Sequence, residues 1–208
     1  MFTAVSHKHL AEAESYFDEH LAQNDYYAAG EIRSGQWIGA GAERLGLKDN
    51  VTREQFHALC ENLNPQNDER LTQRQLKADQ RRVFFDFTCS APKSVSVLAV
   101  TLGDQRLIEA HEEAAKLAFR ELETFAAARV RKDGARKDRT TGNLVAAAFV
   151  HNSSRELDPQ LHTHFTVFNA TFDETEKCWK ALEARGMYDA IRYGTAVYRN
   201  ELDRKSVV

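Results

Sequence analysis

The chain has 208 residues, 42% of them hydrophobic and 28% charged, which suits one domain with a buried core. Its formal net charge of −3 argues against indiscriminate nucleic-acid binding but leaves a local basic surface open. No apolar run approaches the roughly 18–20 residues of a membrane span, and the N-terminus lacks signal-peptide features, so we expect a cytoplasmic protein. The three cysteines are far apart and form no CxxC, which predicts reduced thiols.

The first part of the chain predicts two helices separated by a loop. Ser6 is a plausible cap for an amphipathic helix over residues 7–22, whose apolar side chains recur at helical spacing. Glycines recur through residues 30–41, which indicates a loop with Trp37 as its one large apolar anchor. Residues 52–55 read TREQ, a capping box that opens a short helix.

The second part predicts strands and long helices in alternation. Strand formers fill residues 83–89, and the clearest amphipathic helix covers residues 104–130. Residues 144–151 and 162–171 are both strand-like, and the polar loop between them suits antiparallel neighbours. A last helix is expected over residues 187–203.

Three of the eight histidines lie within residues 151–164. His162 and His164 form an H-x-H pair on a predicted strand, where side chains at i and i+2 share a face roughly 7 Å apart. His151 ends the neighbouring predicted strand and could supply a third nitrogen from the same face. Three imidazoles would leave coordination positions open, as a catalytic metal site needs. Because H-x-H pairs also arise by chance, a structural role stays open.

One carboxylate and three tyrosines also stand out. Asp86 interrupts an apolar strand, where it needs a partner, and the second nitrogen of a metal-ligating histidine would serve. Alternatively, Asp86 caps a turn or faces water. Tyr16, Tyr26 and Tyr27 lie within twelve residues, and a tyrosine can act as a nucleophile when its phenol is helped to ionise. Packing or base stacking is the other interpretation of these tyrosines.

Basic residues concentrate in residues 129–139, which hold six cations against two aspartates. Such a run is usually a solvated face, but it could also contact phosphate.

Several segments together resemble the MobF class of conjugative relaxases, the TraI/TrwC-like enzymes. The two most specific are FDFTCSAPKSVS at residues 85–96 and DPQLHTH at residues 158–164. Further matches are GAGAERLGL at 39–47, TGNLV at 141–145 and WKAL at 179–182, so the resemblance runs through nearly the whole chain in the family's order.

The resemblance implies an α+β protein with the HUH-endonuclease (relaxase) fold, in which helices flank a central antiparallel sheet. It implies that residues 1–208 form the N-terminal relaxase domain, truncated at its C-terminal end. Such an enzyme nicks single-stranded DNA at a plasmid transfer origin, remains bound through a 5′-phosphotyrosyl bond and later religates the strand. Tyr16 would be the first nucleophile and Tyr26 the second, although the variable spacing leaves Tyr27 as an alternative. Asp86 would orient a ligating histidine or aid tyrosine deprotonation.

The same resemblance implies a metal and several partners. The metal ligands would be three histidines: His151, His162 and His164. Mg²⁺ or Mn²⁺ is the ion expected in the cell, while three imidazoles also suit Zn²⁺ or Ni²⁺. The resemblance also implies phosphate contacts from Lys93 and Arg155, and the basic run at residues 129–139 adds Arg131 and Lys132 as candidates for such contacts. The implied partners are transfer-origin DNA, relaxosome accessory proteins, the conjugation machinery and a C-terminal helicase domain in the full-length protein, all in the bacterial cytoplasm.

The sequence departs from the family pattern at its first tyrosine, because Phe17 follows Tyr16 where the family usually has a second tyrosine. This departure favours Tyr16 as the nucleophile. Three other functions stay open: another HUH enzyme such as a rolling-circle replication initiator or transposase, a non-catalytic single-strand DNA-binding module with a structural metal, and a hydrolase that uses a metal-bound water.

Overall fold

A five-stranded antiparallel sheet forms the centre of the computed structural model, which describes residues 1–16, 35–72, 82–132, 135–154, 156 and 158–206. From edge to edge its strands are β1 (Phe2–His7), β3 (Phe84–Ser90), β7 (Pro159–Phe168), β6 (Ala146–Ser153) and β2 (Gln36–Ile38). A three-stranded sheet contains β10 (Leu182–Glu183), β4 (Ala127–Lys132) and β5 (Ala135–Thr140), and a hairpin contains β8 (Thr171–Asp173) and β9 (Cys178–Lys180).

Helices flank the central sheet, as the predicted α+β class requires. They are α1 (Leu10–Tyr16), α2 (Ala40–Arg44), α3 (Arg53–Cys60), α4 (Lys93–Thr101), α5 (Gln105–Glu123), α6 (Arg185–Asp189) and α7 (Ile191–Ser206). The capping box of α3 is present: Thr52 accepts from the backbone of Gln55, whose side chain accepts from Thr52.

The sheet separates two apolar cores because side chains alternate along each strand. On one face, α5 and α7 pack over a core that includes Phe85, Phe87 and Phe165, and we call this the helix-covered face. On the other face, Phe84 and Phe168 pack with Phe56 of α3. These three side chains belong to the second apolar core. This second face also carries the clustered histidines, and we call it the histidine face.

The N-terminal predictions need two corrections. Ser6 does not cap a helix, because its backbone pairs with β3 as part of β1, and the helix predicted over residues 7–22 begins at Leu10. Its predicted continuation beyond Tyr16 lies outside the described residues. The expected loop is wrong for the described residues 36–44, which form β2 and α2. Gly39 permits close packing there, since a Cβ on it would lie 2.5 Å from the carbonyl oxygen of Leu144.

Two predicted helices have different bounds in the structure. The helix expected over residues 104–130 ends at Glu123, and Phe125, which extended its apolar stripe, lies in a turn and is 40% exposed. The chain then alternates as β4, with Ala128 and Val130 buried. The helix expected over residues 187–203 is two helices, α6 and α7, separated by a turn at Ala190.

Two other predictions can be compared with the structure. The cysteines are free thiols, and Cys60 and Cys89 are buried. In the described ranges, no helix has the length and apolar character needed to cross a membrane.

Candidate active site on the histidine face

The hairpin of β6 and β7 brings the three predicted ligand histidines together. His151 and His162 are direct partners in the antiparallel register, so their side chains share a face, and His164 follows two residues along β7. The ring centroids are 5.5 Å apart for His151 and His162, 5.5 Å for His151 and His164, and 4.9 Å for His162 and His164. The predicted hairpin is therefore present, and it groups these imidazoles within a few ångströms.

Two of these rings are held through Nδ1. The Nδ1 of His162 lies 2.8 Å from the carbonyl oxygen of Gln160, and the Nδ1 of His164 lies 2.7 Å from Oδ2 of Asp86. Thr88 adds a second contact to His164, at 3.3 Å from its Nδ1. In this arrangement Nδ1 donates and the neutral Nε2 keeps its lone pair, which is the usual orientation of a metal-ligating histidine.

The charge state of His162 also suits ligation. Burial and the nearby His164 lower the pKa of His162 to about 4, so its ring is neutral at physiological pH. A neutral imidazole is the form that binds metal. In the part of the chain that the structure describes, no group of three or more His, Cys, Asp or Glu side chains has its ligand atoms placed to hold a metal ion. The ring centroids are nevertheless spaced as expected around a tetrahedral ion, about 5 Å apart for nitrogens about 2.1 Å from it.

Asp86 lies between the candidate nucleophile and the histidines. Its Oδ2 accepts from the hydroxyl of Tyr16 at 2.8 Å and contacts Nδ1 of His164 at 2.7 Å. The sequence left open whether Asp86 has such a partner or faces water. In the structure Asp86 is 4% exposed and takes part in the two hydrogen bonds given above. Burial raises the pKa of this carboxyl, but the neighbouring His164 and the two hydrogen bonds outweigh it and hold the pKa below its usual value. Asp86 is therefore an ionised acceptor that links Tyr16 to His164.

Sequence reasoning missed two residues of this site, His7 and Thr88. The His7 ring lies 4.5 Å from that of Tyr16 and 4.6 Å from that of Phe84, measured between centroids. The sequence pattern placed His7 at the start of a predicted helix, whereas His7 ends β1 opposite Phe84. The strand alternation that places Asp86 on this face could have identified Thr88, two residues further along β3.

The remaining predicted site residues are not brought to the cluster by the described structure. Lys93 begins α4, and its Nζ donates to the carbonyl oxygen of Pro159 at 3.1 Å, at the start of β7. Arg131 and Lys132 belong to β4, in the three-stranded sheet rather than the central one. Three others lie outside the described residues: Tyr26, its alternative Tyr27, and Arg155.

Comparison with known proteins identifies the family. A family profile described as TrwC relaxase matches residues 10–207. The multifunctional conjugation protein TraI of Escherichia coli is 41% identical over 177 residues, which are 85% of this chain and 10% of that protein. The TraI of Escherichia coli strain K12 is 39% identical over 184 residues, 88% of this chain and 10% of that protein. The chain thus spans about a tenth of the length of these relatives.

Solved structures of the conjugative relaxase TrwC share the fold. A copper-bound complex with oriT DNA is 36% identical, with a TM-score of 0.85 over 99% of this chain and 69% of that chain. A metal-bound complex with oriT DNA is 35% identical, with the same TM-score and coverage. A complex with a 27-mer DNA comprising the recognition hairpin and the cleavage site is 33% identical, with a TM-score of 0.82, and covers 99% of this chain and 68% of that chain. The predicted HUH relaxase fold is confirmed, and the chain belongs to the TrwC relaxase family.

Proposed function

We propose that this chain is a metal-dependent, site- and strand-specific DNA transesterase that nicks single-stranded DNA at a plasmid transfer origin and later religates it. The observation that carries the proposal is the bond from Tyr16 to Asp86, which also holds His164 of the histidine cluster. A phenol, a carboxylate and three imidazoles thus meet on one face of the sheet. That set supplies the nucleophile, its acceptor and candidate metal ligands for phosphoryl transfer.

The metal would be held by His151, His162 and His164. Two related TrwC structures are metal-bound, one of them with copper, which supports a divalent ion in this chain. When bound, such an ion supplies Lewis-acid stabilisation of charge on a non-bridging phosphate oxygen. We propose Mg²⁺ or Mn²⁺ as the ion used in the cell, with Zn²⁺ or Ni²⁺ as alternatives that three imidazoles also suit.

The chemical step starts from the hydroxyl of Tyr16. Its oxygen attacks the scissile phosphorus, a phosphotyrosyl bond forms to the 5′ side, and the bond to the 3′ oxygen breaks. Asp86, which already accepts the phenolic hydrogen bond, takes the proton. Because the pKa of Asp86 is lowered, the transfer occurs only as the new bond forms. The 3′ oxygen takes a proton from solvent, and religation is the reverse of this sequence.

Recognition of DNA is proposed from the same family. The related TrwC structures contain oriT DNA, which supports a single-stranded transfer origin as the substrate here. Phosphate contacts are assigned to four basic residues: Lys93, Arg131, Lys132 and Arg155. Tyr26 is proposed as the second nucleophile for strand transfer, with Tyr27 as its alternative.

Several broader expectations stay predictions. They are that residues 1–208 form a relaxase domain truncated at its C-terminal end, that a helicase domain follows, that relaxosome proteins and the conjugation machinery are partners, and that the protein acts in the bacterial cytoplasm. The TraI relatives, described as multifunctional, extend far beyond the matched region, which supports further domains.

A covalent-capture assay tests the proposed reaction. The chain is incubated with Mn²⁺ and labelled single-stranded oligonucleotides tiled across the transfer origin of the element that encodes it. We expect one oligonucleotide to give an adduct that survives denaturation, and we expect the adduct to disappear with EDTA and in Tyr16→Phe. The full-length protein encoded by the same element serves as the control for DNA affinity.

Two results would overturn the proposal. If the full-length protein binds the oligonucleotides but forms no adduct, the chain is a single-strand DNA-binding module rather than a relaxase. If Tyr16→Phe forms the adduct fully, another residue is the nucleophile.

A further inference from the structure

A buried chain of hydrogen bonds lies directly behind the histidine pair, on the helix-covered face. His111 of α5 contacts the hydroxyl of Tyr198 through Nδ1 at 2.7 Å and the hydroxyl of Thr163 through Nε2 at 2.9 Å. His111 and Tyr198 are completely buried, and Thr163 is 1% exposed. These hydrogen bonds therefore link α7, α5 and β7 inside the core, away from solvent.

Thr163 is the residue between His162 and His164. Because side chains alternate along a strand, Thr163 points to the helix-covered face while its two neighbours point to the histidine face. A bond that holds the Thr163 side chain therefore fixes the backbone from which both imidazoles project. His111 does not reach the candidate metal site itself, since the sheet lies between them.

Two other side-chain contacts flank Thr163 on the helix-covered face of β7, whose backbone is also paired with β3 and β6. The start of the strand is fixed by α4, where the Ser96 hydroxyl accepts from the backbone of Leu161 at 3.1 Å. Further along, Phe165 stacks on Phe119 of α5, with centroids 4.3 Å apart. Between these two attachments, His111 provides a polar and directional contact on the helix-covered face. An apolar core needs no such polar group for stability alone, whereas a satisfied polar network specifies one arrangement.

The neutral charge of His111 allows it to form both hydrogen bonds at once. Burial lowers its pKa to about 3, so the ring is neutral and has one donor and one acceptor nitrogen. Each hydroxyl can donate or accept, so both bonds are satisfied in either tautomer. Loss of the contact at Nε2 would leave the Thr163 hydroxyl without its partner in the core.

We propose that His111 is a positioning residue for the metal site, which acts by holding Thr163 and thereby aligning His162 and His164 for ligation. The inference rests on the proposed metal site and adds a residue from the opposite face of the sheet. Its effect should be smaller than the 10- to 100-fold loss of metal affinity typical for a partner bonded directly to a ligand.

Two substitutions of His111 separate its two contacts. In His111→Gln the amide reaches the position of Nε2 and can keep the bond to Thr163, whereas in His111→Asn it occupies the position of Nδ1 and can keep only Tyr198. We expect His111→Asn to weaken Mn²⁺ binding by about fivefold, below the loss expected for a direct partner of a ligand, and His111→Gln to stay within about twofold of wild type. Calorimetric titration of each metal-free protein with Mn²⁺ gives the affinities.

Hydrogen exchange of the peptide that spans residues 159–168 provides a readout that needs no metal. We expect faster exchange in His111→Asn than in His111→Gln, at equal thermal stability. Thr163→Val removes the same bond from its other end and should reproduce His111→Asn, which keeps the test valid if one variant folds poorly.

Equal Mn²⁺ affinity and equal exchange in the Asn and Gln variants would overturn the role of His111. If wild type itself binds no Mn²⁺, the proposed metal site is wrong instead, and the exchange comparison still decides whether His111 holds β7.

Discussion

The two faces of the central sheet both carry histidines, buried on the helix-covered face and half-buried on the histidine face, and they use them differently. On the helix-covered face, both nitrogens of His111 are taken by protein hydroxyls. On the histidine face, His162 and His164 are each held by the protein through Nδ1, so Nε2 is the nitrogen that remains for a metal ion. Burial keeps both His111 and His162 neutral by lowering their pKa, to about 3 and about 4. His111 and His162 are therefore alike in charge, and they differ in whether a ring nitrogen remains available to bind a metal ion.

The buried carboxylates of the two regions differ in the same way. Glu123, at the end of α5, accepts from the backbone amides of Ala40 and Leu144 through one oxygen, and burial raises its pKa despite these bonds. Asp86 is also buried, yet its pKa is lowered because the imidazole of His164 and the phenol of Tyr16 form hydrogen bonds with its carboxylate. Glu123 joins segments of the fold, whereas Asp86 joins groups that can react. Burial alone therefore does not mark a functional residue, but the chemistry of its partners does.

Removing a ligand from the histidine face should have the largest effect. We expect His162→Ala and His164→Ala each to reduce DNA cleavage by at least about a hundredfold, because each removes a proposed metal ligand. Single-strand DNA binding should change little, since the proposed phosphate contacts lie elsewhere. Gel-based cleavage and fluorescence anisotropy measure the two properties.

His9→Ala, at an exposed histidine, is the matched control and should behave as wild type. A loss of DNA binding as large as the loss of cleavage would contradict a catalytic role for these histidines.

Asp86→Asn should come next in size. The amide keeps the shape of the side chain but removes the charge that holds His164 and the acceptor for the phenolic proton. We expect Mn²⁺ affinity to fall about 10- to 100-fold and adduct formation to fall further. Asp189→Asn, an exposed aspartate in α6, is the control. Unchanged Mn²⁺ affinity would show that Asp86 does not orient a ligand.

His7 tests whether the site extends beyond the residues found from sequence. Ring pairs of this kind contribute about 0.5–1.5 kcal/mol, so His7→Leu should slow adduct formation by about two- to tenfold through a less confined Tyr16. Mn²⁺ affinity should change less than the rate, because the rings that His7 packs against are those of Tyr16 and Phe84, and neither is a proposed metal ligand. A change in metal affinity with an unchanged rate would reverse this assignment.

Glu123 should give the smallest effect, on stability rather than activity. Because its folded pKa is raised, the folded state binds its proton more tightly, so wild-type stability should decline as the pH rises above the ordinary value of 4.5. Glu123→Gln keeps an acceptor for both backbone amides and removes the ionisation. Urea unfolding from pH 4 to 8 should therefore show wild type losing stability relative to Glu123→Gln. A constant difference across this range would contradict the raised pKa.

The sequence predicted the parts of the site that depend on local spacing. The period of two along β7 placed His162 and His164 on one face, and the adjacent strand placed His151 opposite them. The environment of Asp86 was left open, because its contacts with Tyr16 and His164 span 70 and 78 residues of chain. His7 was missed for the same reason, since pairing of β1 with β3 decides its position.

The predicted boundaries of helices and strands were wrong where the residues are compatible with two kinds of secondary structure. The alanine-rich stripe of α5 continues into β4, and only packing of alternate residues in the core ends the helix at Glu123. The glycines around Gly39 resembled a loop, but they permit close contact with Leu144. The roles of Tyr16, Asp86 and the three histidines stay predictions from the family and the geometry.

Anomalous diffraction from crystals soaked in Zn²⁺ would test the difference between the two faces most directly. We predict one strong peak on the histidine face, about 2.0–2.1 Å from a ring nitrogen of each of His151, His162 and His164. We also predict no peak at His111, whose nitrogens are both engaged. A peak that excludes any of the three histidines, or no peak at this cluster, would contradict the proposed metal centre.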